Sequence, residues 1–136
     1  MLSKDDAIKG VPLFSGCSKK EIALVSRVAD LFTVPAGHVL IREGSYGNEF
    51  FILLKGTAEV RKDGTAVATL GPGDFFGEIA SVERIPRTAT VSAVSPIEAL
   101  ILRGADLSGL RDQLPSVDRA VLDQIASRHS ADEARH

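Results

Sequence analysis

The chain has a single cysteine, Cys17, and so no internal disulfide. It has no long hydrophobic run. The strongest, Phe50, Phe51, Ile52, Leu53 and Leu54, falls far short of the ~20 apolar residues that span a bilayer. It lacks an apolar leader too, because Lys4, Asp5 and Asp6 interrupt the opening MLSKDDAIKG. These absences together predict a cytoplasmic protein without a membrane segment. Positive charge is not in excess: 16 Lys and Arg stand against 18 Asp and Glu, a formal net charge of −2. The electrostatic footprint of a nucleic-acid binder is therefore missing. No Ser-His-Asp or paired-carboxylate arrangement is legible, so no enzyme and no catalytic residue is expected. His38 stands alone in a turn while His129 and His136 lie in a polar tail, so neither a metal site nor a cofactor is expected. Cys17 has no neighbour in sequence to activate it and reads as a structural thiol.

What is present fits one globular domain. With 136 residues, 44% hydrophobic and 25% charged, the chain is long enough to close one core without staples. Ser18 with Glu21 three residues later forms a capping box, and Ile22, Val25 and Val28 or Ala29 supply a narrow apolar face. A helix over 18–29 follows, with Leu13 and Phe14 packing back onto it, within an N-terminal region, 1–29, expected to be helical. From about 30 to 103 the pattern changes to β-rich runs at roughly 8–12-residue spacing: LFTV, HVLIRE, EFFILL, TAEVRK, TAVATL, then TATVSAV and IEALIL. Asp63-Gly64 signals a hairpin. These runs predict an antiparallel barrel or sandwich. From 104 to about 130, Leu107, Leu110, Leu114, Val117, Val121 and Ile125 recur at helical spacing, with Pro115 opening a second helix rather than interrupting one. Residues 131–136 form a frayed tail.

The β rhythm breaks at GDFFGEIASVERIPRTATVSA, from Gly73 to Ala93. One helical turn over residues 79–83 would aim the unpaired amides near Glu78, Ile79 and Ala80 at whatever precedes them, and helix starts attract anions. Arg87 adds a permanent charge on a planar fork that matches two phosphate oxygens. Glu78 would repel a phosphate, so its use is to accept from a hydroxyl or amine on the same ligand. A sugar phosphate has both features. Gly77, Ala80 and Ala89 are small enough to let backbone amides reach oxygens. Two other readings weaken against the surroundings. Glu78 and Arg87 as a surface ion pair would contribute little. The glycines of GPGDFFG follow no βαβ pattern and lack the Lys-Ser/Thr of a phosphate loop.

FGEIASVERIPRTATV resembles the phosphate-binding cassette of the cyclic nucleotide-binding domain family, which includes regulatory subunits of cyclic-AMP-dependent kinase, nucleotide-gated channels and the catabolite activator protein. Upstream, PAGHVLIREGSYGNEFFILLKGTAEV resembles the family's turns at Gly44 and Gly56. The likeness runs from about Leu13 to Leu122. It implies a mainly β fold: an antiparallel, jelly-roll-like β-roll of about eight strands, flanked by an N-terminal helix and C-terminal helices. It also implies that Glu78 accepts the ribose 2′-hydroxyl with help from the Gly77 amide, that Arg87 pairs with the cyclic phosphate, and that the amides of Ala80 and Thr88 complete the cage. The implied ligand-binding residues are Gly77, Glu78, Ile79, Ala80, Arg87, Thr88 and Ala89, supported by Asn48 and Phe76.

Two positions depart from the family pattern. Asn48 stands where many members have an aspartate bracing the phosphate arginine; it can orient Arg87 but not neutralise it, leaving that residue more electropositive. Ser81 replaces a leucine that touches the moving C-terminal helix, which removes the usual apolar relay. Thr88 is compatible with cyclic GMP but also common among cyclic-AMP binders, and the base is expected to be capped from within residues 117–125. Cyclic AMP is the expected ligand ahead of cyclic GMP. The resemblance thus implies a non-catalytic sensor whose C-terminal helices close over the base. With no effector read after those helices, the readout is expected from a protein partner, from self-association as a homodimer, or from an effector domain outside this chain. The other reading, motivated by Asn48 and Ser81, is a degenerate β-roll that binds no nucleotide and serves as a protein-interaction module.

Overall fold

A computed structural model describes residues 3–77, 86–119 and 122–123. Eight antiparallel strands are seen: β1 (Asp30–Val34), β2 (Val39–Ile41), β3 (Glu49–Lys55), β4 (Ala58–Lys62), β5 (Thr65–Leu70), β6 (Phe75–Phe76), β7 (Thr90–Ala93) and β8 (Ile97–Arg103). They form two four-stranded sheets, ordered β1-β8-β3-β6 and β2-β7-β4-β5. This is the β-roll implied above. The Asp63-Gly64 hairpin joins β4 to β5, both turn residues at positive φ (50° and 79°), as a two-residue type I′ connection requires.

The apolar run in β3 follows from its position. Side chains alternate between the faces of a strand, and both faces of β3 are covered. Phe51 and Leu53 join Ile41, Ala58, Phe76, Val91, Ala93, Ile97 and Ala99 in the core between the sheets. Phe50 and Ile52, with Leu100 and Leu102 of β8, join a second core against the helices. A strand covered more on one side would alternate, as β7 does, with Val91 and Ala93 buried and Thr90 and Ser92 half-buried.

Helix α2 (Lys19–Val28) begins as predicted: Ser18 Oγ accepts from the Glu21 amide (3.2 Å) and Glu21 Oε1 accepts from the Ser18 amide (2.8 Å). Ile22 and Val25 are buried, and Leu13 and Phe14 share their core. Two further N-terminal elements lie within the region 1–29 expected to be helical: α1 (Lys4–Lys9), capped by Ser3 and anchored by the buried Ile8, and a 3₁₀ turn over Pro12–Phe14. Lys4 Nζ donates to the Ala29 carbonyl (2.7 Å), tying α1 to the end of α2. At the other end, α3 (Gly104–Gln113) buries Leu107 and Leu110. Leu114 leaves helical geometry (φ −125°, ψ 85°), as residues before proline do, and helical backbone resumes at 115–119. Leu114 and Val117 remain buried across the break, and Arg111 Nε donates to Asp118 Oδ1 over it at 2.6 Å. Val121 and Ile125 lie outside the described residues. No helix among the described residues is long and apolar enough to cross a membrane.

Candidate functional site

Two limbs frame the interrupted segment, and both are fixed to the sheets. The outgoing limb is β6, held in register by Phe51↔Phe76 and Ile52↔Phe75. Phe76 is buried and stacks on Phe51, ring centroids 5.0 Å apart and 11° from parallel. The returning limb is pinned by a reciprocal backbone pair: the Arg87 amide donates to the Ser45 carbonyl and the Gly44 amide to the Arg87 carbonyl, each at 2.8 Å. Thr90 Oγ1 accepts from the Glu43 amide (3.0 Å), fastening the same loop to β7.

Arg87 is therefore no surface residue; it is 5% exposed. Its Nη1 donates to the Gly77 carbonyl (3.1 Å), and its Nη2 donates to the Glu49 carbonyl (2.9 Å) and to Glu49 Oε2 (3.3 Å). A buried guanidinium is costly unless its hydrogens find acceptors, and here two come from the backbone at the ends of β3 and β6. Two glycines make the slot. A Cβ on Gly77 would stand 2.6 Å from the Glu49 carbonyl oxygen and 3.0 Å from Arg87 Nη1, and its φ of +89° already favours glycine. A Cβ on Gly47 would meet Arg87 Nη2 at 3.1 Å and Glu49 Oε2 at 3.0 Å. The result is a buried guanidinium oriented by two carbonyls and faced by one carboxylate. Such a group suits an anion with paired oxygens.

Gly77, Arg87, Thr88 and Ala89 thus meet at one place, with Thr88 exposed and Ala89 buried. Phe76 anchors the limb that delivers Gly77. Asn48 sits exposed in the loop before β3. Glu78, Ile79, Ala80, Ser81 and the helical turn expected over residues 79–83 lie outside the described residues, as do His129 and His136. The expectation that Arg87 is left without a neutralising carboxylate does not hold, since Glu49 supplies one. Asn48 is the neighbour in sequence of the residue that does so. Gly47 and Glu49 were both missed, although Glu49 opens the strongest strand pattern in the chain and so has a fixed orientation.

Away from this site, burial pushes the Cys17 thiol pKa up and the Glu21 carboxylate adds to the rise, while a hydrogen bond with Ser116 opposes it. That thiol is poorly suited to be a nucleophile. Among the described residues, no three His, Cys, Asp or Glu side chains come together as a metal-binding set.

Residues 31–113 match the family model described as the cyclic nucleotide-binding domain. A cAMP-dependent protein kinase regulatory subunit of Mycosarcoma maydis is 39% identical over 102 residues, covering 72% of this chain and 19% of the relative. A cyclic nucleotide-gated potassium channel of Mesorhizobium japonicum is 36% identical over 110 residues, 81% of this chain and 30% of the channel. Among solved structures, the catabolite activator protein of Thermus thermophilus superposes with a TM-score of 0.81 at 26% identity, covering 91% of this chain and 61% of that one. The chain spans less than a third of the two curated relatives' lengths.

Proposed function

Because the chain belongs to the cyclic nucleotide-binding domain family, we propose that it is a regulatory sensor that binds a cyclic nucleotide, with cyclic AMP preferred to cyclic GMP. The observation that carries this is the buried Arg87, held by the Gly77 and Glu49 carbonyls at the family's phosphate-binding position. Arg87 takes the cyclic phosphate, joined by the amides of Ala80 and Thr88. Glu78 and the Gly77 amide take the ribose 2′-hydroxyl, and Ile79 and Ala89 line the same cage. The preference for adenine is supported by similarity to a regulatory subunit named for cAMP.

The output runs through the C-terminal helices. Helical structure after Leu114 is a separate piece from α3, which gives a segment able to adopt a second position when a base arrives. Ligand shifts such an equilibrium only by its difference in affinity for the two arrangements. The domain performs no chemistry, acts in the cytoplasm, and passes its signal to a protein partner, to a second copy or to an effector region; that its relatives are much longer supports the last. Calorimetric titration of nucleotide-stripped protein with cyclic AMP and cyclic GMP tests the reading. Saturable micromolar or tighter binding, stronger for cyclic AMP, is expected. No heat and no competition from either nucleotide would overturn it in favour of an interaction module.

A further inference from the structure

We propose that the Glu49 carboxylate is a built-in competitor for the ligand's phosphate: it occupies a hydrogen of Arg87 that the phosphate must take over, and it withdraws as the phosphate arrives. The inference rests on the nucleotide-binding reading above and assigns a specific residue to tuning its affinity.

The chemistry of the guanidinium leads there. Arginine presents parallel N–H pairs to a two-oxygen anion either through Nη1 and Nη2 or through Nε and Nη2. Both pairs include Nη2. That nitrogen carries two hydrogens, and in this structure it donates to the Glu49 carbonyl at 2.9 Å and to Glu49 Oε2 at 3.3 Å. A paired contact with phosphate therefore competes with these acceptors. The carbonyl belongs to the backbone of β3, which is paired with β8 and β6, and cannot leave without disturbing both. The carboxylate is the longer contact, and its side chain is 43% exposed while that of Arg87 is 4% exposed. Of the two acceptors it is the one that a change of side-chain rotamer can exchange.

The direction of the effect follows from what holds Arg87. Its orientation is set by two backbone carbonyls, from Gly77 and Glu49, so the carboxylate is not needed as a brace. It also sets a negative charge close to the incoming phosphate. Removing that charge strengthens anion binding. Half-exposed ion pairs are weak, so Glu49→Gln is expected to tighten cyclic AMP binding about two- to fivefold, with Glu49→Ala moving the same way.

The experiment titrates wild type, Glu49→Gln and Glu49→Ala with cyclic AMP by calorimetry, after thermal melts verify that the variants fold. Tighter binding by both variants supports the competitor. Equal or weaker binding overturns it and makes Glu49 a brace. A second arm separates this from failure of the nucleotide reading: wild type and Glu49→Gln are titrated with inorganic phosphate, following the Arg87 side-chain nitrogen signals by NMR. A response at lower phosphate concentration in Glu49→Gln supports competition even if no cyclic nucleotide binds. A response at the same or higher concentration, or none in either protein, overturns it.

Discussion

Replacing Gly77 with alanine strikes the point where backbone geometry and the arginine slot coincide. A φ of +89° costs a residue with a Cβ about 1–2 kcal/mol. The new carbon would also lie 2.6 Å from the Glu49 carbonyl oxygen, a backbone atom of β3 that cannot turn aside. Relieving that overlap moves either the strand or the outgoing limb, at a further cost of roughly 1–3 kcal/mol by analogy with overpacked interiors. The expected loss is therefore about 2–5 kcal/mol of a total that for such domains is about 5–15 kcal/mol. Gly109→Ala is the matched control: Gly109 is inside α3 and a Cβ there meets nothing within 4 Å. Alanine there should stabilise by about 0.5–1 kcal/mol. Urea unfolding of both variants beside wild type gives the comparison. A Gly77→Ala protein as stable as wild type, with unchanged Arg87 NMR signals, would refute the slot.

Arg87→Ala should weaken cyclic AMP binding by about 2–5 kcal/mol, the usual loss when one partner of a buried charged contact is truncated; a change below about tenfold would place the phosphate elsewhere. Glu78→Ala should reduce affinity for cyclic AMP but matter far less for its 2′-deoxy analogue, and equal losses for both would remove the ribose role. Ser18→Ala deletes the Oγ acceptor of the α2 capping box and should cost about 1 kcal/mol, read from the denaturant midpoint. Since burial raises the Cys17 pKa, the folded protein holds the thiol proton more tightly than the unfolded chain does. Cys17 should therefore react with a thiol reagent more slowly in the folded protein than after unfolding, and its contribution to stability should fall as pH rises past the unfolded thiol's pKa. Equal rates would contradict the burial.

Features written in local chemistry were legible in the sequence. Ser18 and Glu21 cap the same helix that they spell, Asp63-Gly64 turns the chain where predicted, and Pro115 follows the break after α3. The apolar run of β3 marked a strand, although not that both its faces are covered. An element held mainly by tertiary contact was not legible: β6 is two residues long and exists by pairing with β3. The site divides the same way. Gly77 and Arg87 stood out by residue type and spacing, whereas Glu49 matters only because the fold brings it against a residue 38 positions later. No periodicity encodes that meeting.

β3 has a consequence for how occupancy of the anion seat could be felt elsewhere. Its first residue, Glu49, lends Arg87 a carbonyl; its second, Phe50, is sealed among the helices with Leu107 and Leu110 of α3; its third, Phe51, stacks on the limb that delivers Gly77. Seat, helical layer and outgoing limb thus share one stiff rod at three successive rungs. Strain applied at the first rung reaches the second through covalent bonds, with no relay of side chains between them.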